Sequence, residues 1–167
     1  MQKMIYLLAV SLILTACSHT YYIVRHAEKA VRSGGVAMST PDDPPLNQSG
    51  TKRSEALKLI LKDKNIRYLF STNTTRTLLT AEPFRMYSGL SIETYGPRAD
   101  SVFIHQLKRL KRSTLIIGHS NTVDDLVNGL TNKKTLSDLS DNEYDNLFIV
   151  RYTRFFGTKI KYERKKY

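Results

Sequence analysis

Short apolar runs alternate with longer amphipathic segments along most of the chain. Runs rich in β-branched and aromatic residues predict strands at residues 21–24, 66–70, 91–95, 114–118, 146–153 and 158–163, with the last two forming a hairpin across Gly157. Residues 21–24 and 114–118 are apolar at nearly every position, which is typical of strands that are buried on both faces of a sheet.

Segments with helical spacing lie between these strands. Ser49 is expected to cap a first helix, and further helices are predicted at residues 77–86, 101–111 and 122–130, with Pro83 breaking or kinking the second. The inward face of the first helix is expected to consist of Ala56, Leu57, Leu59, Ile60 and Leu61. The inward face of the third helix is expected to consist of Val102, Ile104, Leu107 and Leu110. Residues 33–48 form a turn-rich loop. The alternation predicts an α/β fold, a three-layer α/β/α sandwich with a mostly parallel central sheet.

Polar side chains follow three of the predicted strands directly. Arg25 and His26 follow the first strand, a loop that ends at Arg76 follows the second, and His119 follows residues 114–118. In open parallel sheets, ligands bind outside the carboxyl ends of the strands. We therefore expect these two histidines and two arginines to converge on one site.

Composition narrows the class of ligand. The chain has 167 residues, of which 41% are apolar, so one domain with a sizeable core is expected. Lys and Arg number 26 against 15 Asp and Glu, and the net charge of +11 favours phosphate esters, nucleic acid or an acidic membrane surface as partners. A single cysteine, Cys17, excludes an internal disulfide and a multi-cysteine zinc site.

Two histidines and two arginines at one sheet edge point to an oxyanion site. A guanidinium donates to phosphate in a planar, bidentate geometry, and a neutral imidazole is a competent nucleophile towards phosphorus. Because the arginines supply positive charge, no metal ion or other cofactor is required.

The first residues have the composition of an export signal. Lys3 precedes an apolar stretch at residues 4–14, which spans about 16 Å as a helix and is too short to cross a bilayer. The sequence Leu-Thr-Ala-Cys at residues 14–17 resembles the bacterial lipoprotein signal, in which the cysteine is lipidated. We therefore expect a signal peptide at residues 1–16, a lipidated tether at residues 17–20 and one domain at residues 21–167. A buried N-terminal helix with an ordinary cysteine is the alternative.

Ser18 follows the cysteine, and by the same resemblance this residue implies a location on the outer membrane, facing the periplasm, in the bacterial cell envelope. The expected partners are a lipid membrane, through Cys17, and a phosphorylated substrate.

Five segments of the chain, in order, resemble motifs of the histidine phosphatase superfamily, which has the phosphoglycerate mutase-like fold. They are residues 22–29 (YIVRHAEK), 45–50 (PLNQSG), 70–83 (which contains FSTNTTRT and TAEP), 116–122 (IIGHSNT) and 143–147 (EYDNL). Residue 27 is Ala where the family usually has Gly, and residue 72 is Thr where it usually has Ser. The resemblance extends over about residues 21–152.

This resemblance implies specific roles. His26 is the phosphate-accepting nucleophile, Arg25, Arg76 and His119 surround the phosphoryl group, and Glu28 orients the pocket. The general acid is not identified, because Ser120 stands where acid phosphatases of the family have aspartate. The open alternatives are Glu93, Asp100, Asp124, Asp125, or no acid at all.

The sequence therefore predicts a membrane-anchored, metal-independent phosphatase, a monomer that acts on a phosphorylated small molecule or a phosphoprotein. A catalytically weak anion-binding protein of the same fold is the alternative, and a mutase is disfavoured because little chain separates Arg76 from His119. The basic stretch at residues 105–112 is interpreted as a solvated helix face that is attracted to anionic lipid rather than as a nucleic-acid site, so no nucleic-acid partner is expected. His19 and His105 are expected to have no role in the site.

Overall fold

The computed structural model describes residues 17–31, 43–154 and 157–167. The elements in these ranges, in chain order, are β1 (Cys17–Arg25), α1 (Gln48–Leu61), β2 (Tyr68–Thr72), α2 (Thr75–Ser88), β3 (Ile92–Tyr95), α3 (Ser101–Leu110), β4 (Thr114–Gly118), α4 (Ser120–Thr131), β5 (Asn146–Arg154) and β6 (Thr158–Lys166). The predicted signal peptide and most of the turn-rich loop lie outside these ranges. In the described part, no helix has the length and apolar character needed to cross a bilayer.

The strands form one mixed sheet in the order β3-β2-β4-β1-β5-β6. The first four are parallel to one another, and β5 and β6 form the predicted hairpin, in which β5 pairs antiparallel with β1. Helices α1 and α2 pack on one face of the sheet, and α3 and α4 pack on the other. The predicted three-layer α/β/α sandwich with a mostly parallel sheet is confirmed.

Strand β1 shows why a continuous apolar run was needed at the centre of the sheet. Tyr21 and Ile23 point into the core beneath α3 and α4, whereas Tyr22 and Val24 point into the core beneath α1 and α2. All four side chains are buried. Because both faces of the strand are covered at residues 21–24, this segment is apolar, and the charged Arg25 and His26 follow where it ends.

Residues 17–20, predicted to form a tether, are the first four residues of β1. They pair with Arg151–Arg154 of β5 and extend beyond the first residue of β4, which pairs with Tyr21. His19, expected to have no role, stacks on the Tyr152 ring at 5.1 Å between ring centres. The apolar pattern missed this extension because the pairing comes from the long partner strand rather than from local composition.

Two helix boundaries differ from the prediction. Asn47, not Ser49, is the N-cap of α1, and its Oδ1 accepts a hydrogen bond from the Gly50 N–H at 2.8 Å. Helix α2 continues through Pro83 rather than breaking there. Because α2 packs against α1 and β2, tertiary contacts outweigh the cost of about 3 kcal/mol for an interior proline.

Three apolar residues predicted to face the core are exposed. Val102 of α3 is 74% exposed, and Leu59 and Ile60 of α1 are 59% and 41% exposed. The buried stripe of α3 is centred instead on Phe103, which the prediction left out, together with Ile104 and Leu107. One residue along a helix is about 100° of rotation, so a stripe centred on residues 103 and 107 leaves residue 102 at its margin.

Candidate active site

Arg25 and His26 lie at the carboxyl end of β1 and are almost fully buried, with 5% and 4% exposure. The Arg25 guanidinium donates to the backbone carbonyls of Ser140 at 2.7 Å and Asp141 at 3.2 Å. Its carbon atom lies 4.3 Å from the centre of the Tyr144 ring. Neutral carbonyls and an aromatic face thus hold the cation in place, and its acidic neighbour, Asp141 at 3.8 Å, is fully exposed to solvent.

The His26 ring is fixed in one tautomer by its own backbone neighbour. Nδ1 lies 2.8 Å from the carbonyl oxygen of Ala27. A carbonyl oxygen only accepts, so Nδ1 carries the hydrogen and Nε2 keeps the lone pair. Burial is the largest cause that lowers the pKa of His26 to about 3; the Ala27 hydrogen bond opposes it, and the charges of Arg25, His119 and Arg76 add to the lowering. At neutral pH, His26 is therefore an uncharged imidazole with a free lone pair on Nε2.

His119 follows the last residue of β4 and caps α4. Its Nδ1 lies 3.4 Å from a terminal nitrogen of Arg76, which can only donate, so Nε2 carries the hydrogen and donates it to Thr72 Oγ1 at 2.9 Å. Burial, followed by the charges of Arg76 and Arg25, lowers the pKa of His119 to about 4. The second imidazole is also neutral in the unliganded site.

Arg76 lies in the first turn of α2, and an acidic residue holds it there. Asp43 accepts hydrogen bonds from the Thr75 N–H at 2.7 Å, from Thr75 Oγ1 at 2.8 Å and from Arg76 Nη1 at 3.1 Å. Partial burial would raise the pKa of Asp43, but these hydrogen bonds and the Arg76 charge outweigh it and lower the pKa. Asp43 thus fixes one side of the Arg76 fork while the other side faces His119.

These elements bring the four predicted pocket residues to one edge of the sheet. The rings of His26 and His119 have centres 5.4 Å apart and meet edge to face. They border an open cleft of about 550 Å³ whose lining also includes both arginines. The remaining lining residues are Lys29, Pro97, Ser120, Asn121 and Asp141. Helices α2 and α4 both begin at this edge, so their positive ends add to the field that an anion meets.

Glu28 is engaged on the side of β1 that faces α1. Both of its carboxylate oxygens accept hydrogen bonds from Arg53, with Nε at 2.9 Å from each oxygen. Arg53 also donates to the backbone carbonyl of Tyr167 at 2.8 Å. Glu28 therefore ties the loop after β1 to α1 and to the end of the chain.

The four carboxylates named as candidates for a general acid are not among the residues that line the cleft. Asp100 is the N-cap of α3, where it accepts from the Phe103 N–H at 2.9 Å. Within the described ranges, the carboxylate that lines the cleft is Asp141, which is fully exposed and lies 3.8 Å from Arg25.

Sequence reasoning missed Asp141, Tyr144 and Asp43 as parts of the site. Tyr144 belongs to the family-like segment at residues 143–147, with Asp141 shortly before it, so that segment was the available signal. Asp43 lies in the turn-rich loop, and its role depends on a contact with a residue 33 positions along the chain.

The fold is shared with solved proteins whose sequences differ widely. The protein histidine phosphatase SixA in complex with tungstate has 19% identity and a TM-score of 0.66, with 88% of this chain and 96% of that chain aligned. A SixA described as a putative phosphohistidine phosphatase, from Agrobacterium tumefaciens, has 17% identity and a TM-score of 0.61, over 86% and 97% of the two chains. A mycobacterial glucosyl-3-phosphoglycerate phosphatase has 12% identity and a TM-score of 0.62, over 90% and 98%.

At these identities, structural likeness shows the fold alone. No curated protein is a significant sequence match for this chain. The family model described as histidine phosphatase superfamily (branch 1) matches residues 21–96, which include Arg25, His26 and Arg76. Residues 21–96 are therefore similar to the histidine phosphatase superfamily, and the chain as a whole shares the fold of the solved phosphatases. The superfamily match ends before His119, so the placement of that residue beside His26 comes from the structure.

Proposed function

We propose that the chain is a metal-independent phosphatase that acts through a phosphohistidine intermediate on His26. The observation that carries this proposal is the state of His26, a buried neutral imidazole with Nδ1 bound to Ala27. The free Nε2 belongs to a ring that faces His119 across a cleft lined by two guanidinium groups. A nucleophile and fixed oxyanion donors are the two requirements of phosphoryl transfer to an enzyme.

In the first step, the non-bridging oxygens of the phosphoryl group lie against Arg25, Arg76 and His119, whose Nε2–H turns from Thr72 Oγ1 to a phosphoryl oxygen. Nε2 of His26 attacks phosphorus in line with the leaving group, so the N–P bond forms as the bond to the leaving group breaks. The departing group takes a proton from water. Because the guanidinium groups are already held in place, they stabilise the charge on the phosphoryl oxygens with little reorganisation.

In the second step, water attacks the phosphorus of phosphohistidine. The N–P bond breaks, orthophosphate carries away the phosphoryl group, and His26 returns to its neutral form. The hydrogen bond to Ala27 keeps the ring in position through both steps. Neither step requires a metal ion, and turnover is expected to persist in the presence of a chelator.

The position of the carboxylates favours substrates with good leaving groups. A general acid contributes about 10²- to 10⁴-fold to such reactions, and Asp141, at the exposed mouth of the cleft, is poorly placed to supply a proton. Phosphoramidates such as phosphohistidine, and aryl phosphates, need this help least. The open cleft accommodates a phosphoprotein as well as a small molecule. The name of the structural neighbour SixA, a protein histidine phosphatase, supports the phosphohistidine alternative.

A trapping experiment tests the proposed function. Incubation of the full chain with phosphoramidate is expected to yield an acid-labile phosphoryl label on His26 together with release of orthophosphate. His26→Ala is expected to lose the label and at least about 10³-fold in turnover, because the nucleophile is gone. His105→Ala is the matched control, since His105 is an exposed histidine on α3. Tight phosphate binding without label or hydrolysis would instead favour the anion-binding protein.

We further propose that the chain is a lipoprotein anchored through Cys17 in the outer membrane and facing the periplasm. The support is the lipoprotein-like segment at residues 14–17 and the position of residue 17 at the start of β1, at the end of the strand remote from Arg25 and His26. Acyl chains attached there contribute about 0.8 kcal/mol per buried CH₂ and leave the cleft accessible.

Membrane fractionation tests the anchor separately from the chemistry. Cys17→Ser is expected to move the protein from the membrane fraction to the soluble fraction. Ser18→Ala, at the neighbouring position, is the control and is expected to stay with the membranes. If Cys17→Ser also sediments with the membranes, lipidation at this residue is wrong.

A further inference from the structure

The sheet has a second edge rich in charge, opposite the candidate active site. We call it the amino edge, because the parallel strands begin there. Strand β1 starts at Cys17 and projects four residues beyond β4, and residue 17 pairs with Arg154 at the end of β5. At about 3.3 Å per residue, the nine residues of β1 place the two ends of this strand about 26 Å apart.

Two clefts flank this projecting end of β1, with volumes of about 510 and 430 Å³. Ser18 lines one of them and His19 lines the other. Five cationic side chains line the two clefts, and we call them the basic face: Arg67, Lys108, Lys111, Arg112 and Arg154. Among the described residues, no carboxylate lines either cleft.

The cations of the basic face have no acidic partner in the described ranges, as is also true of some other surface cations. In the described ranges, none of the five forms a salt bridge, and Lys108 donates to the neutral amide oxygen of Asn132 at 2.8 Å. By contrast, these surface cations pair with Asp or Glu: Lys58, Arg85, Lys161, Arg164, Lys165 and Lys166. A cluster of like charges without counter-ions costs self-repulsion, which an external anion relieves.

We propose that the basic face binds the anionic headgroups of the membrane to which the chain is anchored. This proposal rests on the anchor at Cys17 proposed above and is independent of the phosphatase chemistry. Charge complementarity and the position of the face both support it. An acyl group on residue 17 would hold the amino edge at the bilayer surface, within the screening length of about 10 Å over which charges attract.

A membrane suits the basic face better than nucleic acid does. Single-stranded nucleic acid needs exposed aromatic rings beside the cations for base stacking. The two tyrosine rings that line the clefts are those of Tyr68, which is only partly exposed, and Tyr152, which is 8% exposed and already stacked on the third ring, His19. The five cations therefore offer phosphate contacts without a stacking platform.

Docking in this manner gives the enzyme a defined orientation. With the amino edge on the bilayer, β1 runs away from the surface, and the cleft at its other end opens towards the aqueous compartment. A phosphorylated protein or small molecule then reaches His26 without approaching the anionic lipid, which repels phosphate.

Vesicle binding tests the basic face. Because acyl chains would hold every variant on a bilayer, all proteins are the full chain carrying Cys17→Ser. The probes are vesicles of phosphatidylcholine alone and vesicles of phosphatidylcholine mixed with phosphatidylglycerol. The parent protein is expected to bind the anionic vesicles more tightly, and added salt should remove the difference. R67E/R112E is expected to lower affinity for the anionic vesicles by about tenfold or more.

The matched control is K52E/K165E, which also takes the net charge from +11 to +7. Lys52 and Lys165 are exposed, and they lie near the start of α1 and the end of β6, at the opposite edge of the sheet. The control is expected to keep its preference for anionic vesicles. R67Q/R112Q is expected to bind these vesicles with an affinity between those of the parent protein and R67E/R112E. Circular dichroism and thermal melting verify folding of each variant.

Three results would overturn the proposal. One is equal binding of the parent protein to both kinds of vesicle, and another is an equal loss in both charge-reversed variants, which would reflect net charge alone. The third is displacement from anionic vesicles by double-stranded DNA at an equal phosphate concentration, which would identify a nucleic-acid site. Because the assay requires no turnover, its result is separate from that of phosphohistidine trapping.

Discussion

The two edges of the sheet are both cationic, yet they present charge in different ways. At the carboxyl edge, Arg25 is 5% exposed and is held by two backbone carbonyls and by the Tyr144 ring. At the amino edge, Arg67 and Arg112 are exposed and form no salt bridge with any described residue. Net charge alone indicates an anionic partner for both edges. The burial of the cations distinguishes them, because the buried arginine of the carboxyl edge forms a discrete site and the exposed arginines of the amino edge form a diffuse field.

This difference has a physical basis. A buried guanidinium fixed by hydrogen bonds has already lost its conformational entropy, so it stabilises a phosphoryl group in one geometry. Exposed side chains attract an anionic surface at many relative positions, and salt screens that attraction over about 10 Å. We therefore expect the carboxyl edge to depend on individual residues and the amino edge to depend on summed charge.

Removal of Arg76 is expected to produce the largest effect among the variants that test this comparison. Arg76→Ala should lower kcat/KM for phosphoramidate by about 10² to 10³, because one fixed donor to the phosphoryl oxygens is lost. Arg85→Ala is the matched control, as Arg85 lies on the same helix but is paired with Glu82 at the surface. The measurement is steady-state release of orthophosphate at low and at high salt.

A specific role for Arg76 predicts a loss of similar size at both salt concentrations. The carboxyl edge would also act as a diffuse field if Arg85→Ala reduced kcat/KM as strongly as Arg76→Ala does. The same would follow if high salt abolished most of the difference in kcat/KM between Arg76→Ala and the parent protein. The comparison between the edges would then be wrong.

Acidification is expected to destabilise the carboxyl edge through His26. Its pKa is about 3 in the folded chain, against 6.5 as the ordinary value, so between these values the unfolded chain binds a proton that the folded chain does not. The free energy of unfolding therefore falls as the pH decreases from 6.5 towards 3. The loss attributable to His26 is on the order of 1–3 kcal/mol.

Urea unfolding of the full chain at pH 7 and pH 4.5 measures this loss. His26→Gln should reduce the loss on acidification because it removes the buried titrating group. His105→Gln replaces an exposed histidine and is expected to behave as the parent protein does. An unchanged loss in His26→Gln would show that burial and the surrounding cations do not oppose protonation of this ring.

The central layer of the fold could be predicted from the sequence because burial on both faces leaves a strong local signal. Residues 114–118 were predicted with the bounds that the structure gives to β4. Residues 17–20 could not be predicted as strand, since their pairing depends on β5, more than 130 positions along the chain. Local composition carries no information about a partner that distant.

The same distinction applies to the candidate site. Arg25, His26 and His119 follow strands directly, so topology alone brings them to one edge. Asp43 and Tyr144 reach the site from loops, where no period relates position in the chain to position in space. The carboxylates named as candidates for a general acid do not line the cleft, and one of them, Asp100, is a helix cap, which sequence cannot tell from a catalytic acid.

Substitution of Asp43 is expected to have the smallest effect on activity. It tests whether the carboxyl edge is specific because Arg76 is fixed in position or only because Arg76 is charged. Asp43→Asn removes a negative charge near the phosphoryl group, so an edge that acted through charge alone would bind phosphate more tightly. Fixation predicts the opposite, because Arg76 loses its charged partner at 3.1 Å. We expect kcat/KM to fall by about tenfold, which corresponds to about 1.4 kcal/mol. Asp63→Asn, in an exposed turn after α1, is the control, and higher activity in Asp43→Asn would favour charge over geometry.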